Sequence, residues 1–271
     1  MATARDSVHG LQMNAKLMVG WLALVVAGIV QADDWIVCEG DYEFHLQGIA
    51  RDGAGDLYWS FTTEIVKTSS DGQIITKVEA PSHQGDLCYA DGRIYVAVNL
   101  GEFNQPAGQA DSWVYVYEAA TLEFIARHPA PEVVHGAGGM DRRGGNFFVV
   151  GGLPAGTIEN YVYEYTADFT FVRRHVIASG WTSMGIQTTT WHDGRWWFGC
   201  YGEVRTLLTT DETFRLTGHF PFDCSLGIAG ASAGRLLIAD GPKTPEGRCR
   251  GRVRWVQPDP LKGLVPMEAT R

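Results

Sequence analysis

One phrase recurs five times along this chain, and this repetition constrains the fold more than any other feature of the sequence. Each copy has a small-residue turn with a glycine, a short apolar strand, a glycine-centred hairpin, and a second strand rich in aromatic and β-branched residues. A single unit of this kind cannot bury both of its faces, so the copies must stack as an array of sheets. The glycines that align the copies are Gly48, Gly85, Gly136, Gly185 and Gly227.

The spacing of the copies predicts an all-β fold, a five-bladed β-propeller of four-stranded antiparallel blades. The aligned glycines lie 37, 51, 49 and 42 residues apart, close to the ~40–50 residues of a four-stranded blade. Four copies continue into a second pair of alternating segments, as outer strands do. The fifth copy lacks a convincing fourth strand, and we expect residues 34–38 to supply it and close the ring.

Residues 1–32 are predicted to be a secretory signal peptide rather than part of the propeller. Lys16 precedes an apolar run at residues 17–30, and the small-residue end at residues 30–32 predicts cleavage after Ala32. The alternative is a retained membrane anchor, but the run is shorter than the ~20 residues that a span needs. We therefore expect one domain at residues 33–271 in a secreted or periplasmic protein.

The charge of the chain excludes some partners. The formal net charge is −9, whereas nucleic acid and anionic membrane surfaces attract a basic protein. We therefore expect a monomer that binds a small-molecule or saccharide ligand, with no nucleic acid and no membrane after signal cleavage.

The five cysteines are an odd number for an exported chain. A disulfide between Cys38 and Cys249 would clamp the closure of the ring, and the alternative is that the cysteines are small buried thiols. No C-x-x-C spacing occurs, so a thiolate zinc site is not expected.

Three histidines stand at the start of inner strands in three consecutive copies: His45, His83 and His135. In a propeller these starts, and the loops between second and third strands, surround the central channel on one face. Imidazole both ligates metals and transfers protons near neutral pH, so the pattern predicts an acid–base site or a divalent metal site. The predicted metal ligands are His45, His83, His135 and Gln187. The alternative is that these histidines are polar residues of a solvated channel mouth and have no functional role.

The remaining predicted site residues lie on the same face. His135 or His83 is predicted to act as general base or metal ligand, with Asp86 and Asp223 as acid or second ligand, because these carboxylates lie nearest to the channel. Two carboxylates flanking a sugar are the apparatus of glycoside hydrolysis, and Trp181 and Tyr201 are among the aromatic residues that could stack on it. The residues predicted to bind substrate are Gln47, Gln84, Asp111, Asn160, Tyr161, Gln187 and Arg205.

The order of motifs resembles the five-bladed propellers of the glutamine cyclotransferase group, the plant and bacterial glutaminyl cyclases. Residues 44–49 and 82–87 correspond to the phrases Phe-Thr-Gln/Glu-Gly-Leu and Phe-Gly-Glu-Gly-Ile that begin the first two blades there. Gln84 stands where that family has Glu. A second likeness, at the level of the fold alone, is to propeller polysaccharide lyases, some of which hold a divalent metal with several His and a Gln.

Together these patterns predict an exported enzyme that acts on a small polar or saccharide-like substrate at one mouth of the channel. Its chemistry would be that of a lyase or a hydrolase, through His and carboxylate acid–base catalysis or a metal ion. One alternative is a propeller that binds a glycan or a protein without catalysis. The other, implied by the resemblance, is a glutaminyl cyclase-like acyltransferase.

Overall fold

The structure is a computed structural model that describes residues 35–232 and 234–267 of the chain. The predicted signal peptide, residues 1–32, lies outside the described residues. Within them there are strands and turns but no α-helix, and therefore no helix that is long and apolar enough to cross a membrane.

Five antiparallel sheets form the blades of a propeller, which confirms the predicted fold. A short strand, β1 (Ile36–Val37), precedes the first blade. The first blade consists of β2 (Leu46–Arg51), β3 (Leu57–Phe61), β4 (Glu64–Thr68) and β5 (Ile74–Glu79). The second consists of β6 (Gln84–Ala90), β7 (Arg93–Asn99), β8 (Ser112–Glu118) and β9 (Phe124–Pro129). The third consists of β10 (Ala137–Arg143), β11 (Asn146–Gly151), β12 (Asn160–Tyr165) and β13 (Phe171–Ile177). The fourth consists of β14 (Ser183–His192), β15 (Arg195–Tyr201), β16 (Thr206–Thr210) and β17 (Leu216–Phe220).

The fifth blade closes the ring with two short strands from opposite ends of the chain. Its continuous strands are β18 (Ile228–Gly230), β19 (Leu236–Asp240) and β20 (Arg252–Asp259), and β21 (Gly263–Pro266) folds back on β20. The N-terminal β1 pairs with one end of β20, where Ile36 faces Val253, as the sequence predicts. The C-terminal β21 pairs with the other end, where Val256 faces Pro266, and this strand was not predicted. The two together cover the outer edge of β20, which an open blade would expose to pairing with another chain.

Apolar side chains between neighbouring blades form the core. Trp196 and Phe198 of the fourth blade pack with Phe148 of the third, and all three are almost fully buried. The five cysteines are buried and unpaired, so no Cys38–Cys249 disulfide is present, although both lie in the core between the first and fifth blades. Burial raises the pKa of Cys200 to about 12, so this thiol stays protonated.

Irregular pairing at the start of four inner strands shapes the channel mouth. The register between first and second strands shifts near Gln47 in β2, near Asp86 in β6, near Gly138 in β10 and near Gln187 in β14. A β-bulge inserts a residue and re-aims its side chain. The glycines beside the bulges let the blades approach closely, since a Cβ on Gly85 would lie 2.4 Å from the carbonyl oxygen of Gly138.

Candidate functional site

A cavity of about 200 Å³ opens at this mouth of the channel, between the first four blades. The loop between β7 and β8 contributes Phe103 to its wall, and the end of β15 contributes Tyr201. No Asp, Glu, Lys or Arg of the described residues lines this cavity. Its polar lining residues are His45, Gln47, His83, Asn99, Gln187 and Tyr201.

The carboxamide of Gln47 joins two imidazoles at the centre of the cavity. Its nitrogen lies 2.8 Å from Nε2 of His45 and also makes a short hydrogen bond to Nε2 of His83. Gln47 is 8% exposed, and the bulge in β2 directs it toward both rings. A carboxamide nitrogen carries two protons and no available lone pair, so both Nε2 atoms must accept. With the carboxamide in this orientation, an imidazole that accepts from it carries its own proton on Nδ1.

Both imidazoles are bases in their neutral form. Burial lowers the pKa of His45, and the charges of His83 and Lys243 lower it further. Burial also lowers the pKa of His83, although this residue as a whole is exposed. A lowered imidazole pKa leaves the ring unprotonated at neutral pH, as a general base or a metal ligand requires.

The two other glutamines predicted at the site differ in position. Gln187 lines the cavity from the bulge in β14, and its carboxamide nitrogen donates to the carbonyl of Met184. Gln84 is fully buried and does not line the cavity, because its nitrogen donates to the carbonyl of Pro81. Gln84 therefore anchors the chain before β6 and does not face a substrate in this cavity.

His135 does not join His45 and His83, contrary to the expected convergence of three histidines. Its Nδ1 lies 2.9 Å from the carbonyl oxygen of Gln105, and the ring lies beside Tyr161 instead of lining the cavity. No group of three His, Cys, Asp or Glu side chains within residues 35–232 and 234–267 is placed to hold a metal ion. The predicted set of three histidines and Gln187 is thus not assembled, and the residues present do not fit that metal centre.

Asp86 is a structural carboxylate and not an exposed acid. Its side chain is fully buried, and its two oxygens accept the backbone N–H groups of Ile49 at 3.2 Å and Thr189 at 3.0 Å. These partners belong to the first and fourth blades, so Asp86 of the second blade ties three blades together. Burial raises the pKa of Asp86 well above its usual range, and the nearby Asp141 raises it further. Asp86 does not line this cavity, so the catalytic role predicted for it remains a prediction without support from its position.

The remaining predicted residues lie outside the cavity. Asp223 is exposed and makes an ion pair with Arg205 at 3.7 Å, and the Arg205 guanidinium stacks over the Tyr201 ring. Asp111 is exposed and accepts a hydrogen bond from the indole of Trp113. The Tyr161 hydroxyl donates to Glu159. Asn160 is buried and holds Ser179 and Thr182, so it does not face a substrate.

The sequence reasoning missed the polar residues at the opposite mouth. A second cavity of about 260 Å³ is lined there by Asp141, Thr189 and His192. Burial raises the pKa of Asp141 to about 6. The backbone N–H of Trp191 and the hydroxyl of Thr190 donate hydrogen bonds that stabilise its charged form and partly oppose this rise. Asp141 stands in the run Met-Asp-Arg-Arg, and a run of this composition is equally typical of an exposed hairpin. No sequence signal sets this aspartate apart.

Fold and site together define a five-bladed β-propeller with a cavity at one channel mouth that two histidines line and that no carboxylate of the described residues reaches. No protein-family model matches the sequence, and no curated protein matches it. Among solved structures, the chain resembles Myxococcus xanthus glutaminyl cyclase, with a TM-score of 0.55 and 12% identity over 82% of this chain and 96% of that one. It also resembles a β-xylosidase, with a TM-score of 0.56 and 12% identity over 84% of this chain and 96% of that one. These likenesses confirm the resemblance to glutaminyl cyclases at the level of the fold.

Proposed function

We propose that this propeller is an exported enzyme that acts on a small polar or saccharide-like substrate by acid–base chemistry in the cavity of His45, Gln47 and His83. The observation that carries the proposal is the shared carboxamide of Gln47, which fixes two neutral imidazoles in one protonation state. Both imidazoles have a lowered pKa, and titratable groups with perturbed pKa values cluster at functional sites.

His83 is the better general base of the two. The base becomes positively charged during the reaction, and the charge of Lys243 disfavours that form at His45. If a substrate displaces the Gln47 amide, a substrate proton can lie within hydrogen-bond distance of Nε2 of His83. The lone pair of that nitrogen would then accept the proton. Gln47 would still donate to Nε2 of His45, so this hydrogen bond keeps the Gln47 side chain in place.

Tyr201 is the residue that can return a proton. Burial raises the pKa of Tyr201 to about 12, so its phenol stays protonated at neutral pH. In an elimination, a carbon-bound proton moves to Nε2 of His83, the electron pair forms a carbon–carbon double bond, and the bond to the leaving oxygen breaks. The Tyr201 hydroxyl protonates that oxygen, and proton return from His83 through water restores both groups.

Elimination suits this cavity better than glycoside hydrolysis. Glycosidases of the common type place two carboxyl groups about 5–9.5 Å apart around the scissile bond, and no carboxylate of the described residues lines the cavity. Because the predicted metal ligands are not brought together, we route no step through a metal ion. We therefore favour a lyase over a hydrolase.

The test is a screen of purified protein against uronate-containing oligosaccharides, whose carboxylate acidifies the adjacent C–H and conjugates with the new double bond, with detection of the unsaturated product by ultraviolet absorbance. Replacing the base, His83→Gln, is expected to lower kcat/KM by roughly 100-fold or more. The matched control is His135→Gln on the same face, which is expected to keep wild-type turnover because His135 is anchored outside the cavity. Equal turnover of wild type and His83→Gln would contradict the proposal.

Two alternative functions have support of their own. Exposed apolar side chains near this face, such as Phe44 and Trp181, favour a propeller that binds a glycan or protein without catalysis. The likeness to Myxococcus xanthus glutaminyl cyclase favours acyl transfer, so the screen includes peptides with an N-terminal glutamine. Turnover of these peptides with none of any saccharide would favour the acyltransferase.

We also propose that the mature protein is a monomer in the secreted or periplasmic space that binds neither nucleic acid nor membrane. The formal net charge of −9 supports the exclusion of anionic polymers. The apolar run at residues 17–30 supports export, and N-terminal sequencing of secreted material that begins at Asp33 tests it.

A further inference from the structure

A groove of about 450 Å³ adjoins the cavity on the fourth blade, and the two share Tyr201 as a wall. Trp181, Glu203, Val204 and His219 line it. We propose that this groove is a saccharide subsite that holds a neutral pyranose unit, linked to the unit that enters the cavity. The inference rests on the proposed function for its reacting unit but assigns a separate binding site.

Trp181 supplies a flat apolar surface in this groove. It is 52% exposed and is the only exposed tryptophan within residues 35–232 and 234–267. An indole left in water beside a cavity loses the burial that normally stabilises a tryptophan. The C–H face of a pyranose ring would cover the indole while the sugar hydroxyls stay in contact with polar groups.

Asn160 fixes the chain on both sides of Trp181. Its carboxamide nitrogen donates to Oγ of Ser179 at 2.8 Å and to Oγ1 of Thr182 at 3.0 Å, on either side of Trp181 in the chain. Both of these partners are buried, so the backbone that carries Trp181 is fixed at two points. Asn160 is thus a positioning residue for Trp181, and a fixed platform loses little freedom on binding.

The polar residues of the groove suit the hydroxyls of a neutral sugar. Glu203 and His219 are exposed, so both are free to exchange hydrogen bonds with hydroxyl groups. The Glu203 carboxylate would repel a uronate at this position. Arg205 does not offset it as a free cation, because it pairs with Asp223 and stacks on Tyr201. A neutral pyranose therefore fits better than an acidic one.

A peptide fits the groove less well. Bound peptides commonly add a strand to a free sheet edge, but the strands beside the indole are already paired. Ser183 pairs with Tyr201, and Cys200 pairs with Thr206 on the other side of the same strand. These backbones have no free row of hydrogen-bonding groups for a peptide.

The test measures binding of neutral cello-, xylo- and manno-oligosaccharides by intrinsic fluorescence and calorimetry. In the wild type, Kd is expected to fall from the monosaccharide to the disaccharide, with a fluorescence change from Trp181. The Trp181→Ala variant is expected to lose that change and to bind the disaccharide about tenfold more weakly, with an unchanged monosaccharide Kd. Trp181→Phe restores most of the affinity. Asn160→Ala weakens disaccharide binding and alters the near-ultraviolet circular dichroism of the indole.

The inference and the proposed function fail separately. If His83→Gln loses turnover and keeps the disaccharide Kd, both stand. If no saccharide is turned over but disaccharide binding depends on Trp181, the enzyme proposal fails and the subsite stands. A disaccharide Kd that is unchanged in Trp181→Ala, affinity that does not rise with chain length, or no binding of any oligosaccharide in the panel would each overturn the subsite. Peptides that produce the Trp181 signal while saccharides do not would overturn it as well.

Discussion

Replacing Asp86 by Ala is expected to destabilise the propeller through lost hydrogen bonds between blades. The carboxylate accepts the backbone N–H groups of Ile49 and Thr189, and the site is fully buried. Alanine leaves both N–H groups without a partner and out of reach of water. The propeller would then lose a side chain that links the first, second and fourth blades.

The magnitude follows from those two groups. A buried donor left unpaired costs ~1–3 kcal/mol, so two donors cost about 4 kcal/mol. In a domain of this size each kcal/mol lowers the melting midpoint by about 2–4 °C. The expected loss in Asp86→Ala is therefore roughly 8–16 °C. Asp86→Asn keeps one acceptor oxygen and is expected to lose about half as much.

Calorimetry of wild type, Asp86→Ala and Asp86→Asn at one pH measures this loss. The control is Asp223→Ala, which removes an exposed carboxylate from the same face and is expected to shift the midpoint by no more than about 2 °C. A melting midpoint of Asp86→Ala equal to that of the control would refute the reasoning. Wild-type stability combined with lost turnover would instead return Asp86 to a catalytic role.

Three further predictions address the opposite mouth, ring closure and metal dependence. The pKa of Asp141 is raised from 3.8 to about 6 on folding, so the unfolded chain releases this proton first as pH rises. Wild type should therefore lose about 2 kcal/mol of unfolding free energy relative to Asp141→Asn between those two pH values, and denaturant titrations that give a constant difference would contradict this. Deleting residues 35–39 removes β1 and uncovers part of β20, so size-exclusion chromatography should detect aggregation, whereas a monomer with an unchanged midpoint would mean that β21 closes the ring alone. Dialysis against a chelator should leave the midpoint unchanged, because no three suitable ligands meet within the described residues, and a clear drop together with released metal would reinstate a metal site.

The fold could be predicted because its signal is repeated. Each hairpin glycine and each alternating strand is a weak indication alone, but five copies at one spacing leave few other architectures. The split outer strand of the last blade could be predicted only in part. Residues 263–266 form a short segment that ends in proline, and only its pairing with β20 identifies it as a strand.

The candidate site could be predicted by position but not by orientation. His45 and His83 meet because both stand next to bulged inner strands, which the repeat alignment places at one channel mouth. His135 has an equivalent sequence position, yet Gly136 follows it with φ of +98° and the ring turns to the carbonyl of Gln105. Such a rotation depends on contacts between loops, which the sequence pattern does not encode.

Asp86 illustrates the same limit for function. Its position near the channel was predicted, but the approach of the first and fourth blades converts it into an acceptor for their backbone. Gly48 makes this possible, because a Cβ there would lie 2.1 Å from Oδ1 of Asp86. The sequence contains both residues without indicating that they touch.

The most direct test of the account is a pH titration of the His45 and His83 rings by NMR of histidine-labelled protein, in wild type and Gln47→Ala. We expect both wild-type rings to titrate below the ordinary imidazole pKa of 6.5, to carry their proton on Nδ1 when neutral, and to change together when Gln47 is removed. Rings that titrate independently at the ordinary pKa, or that carry their proton on Nε2, would contradict the shared-carboxamide site.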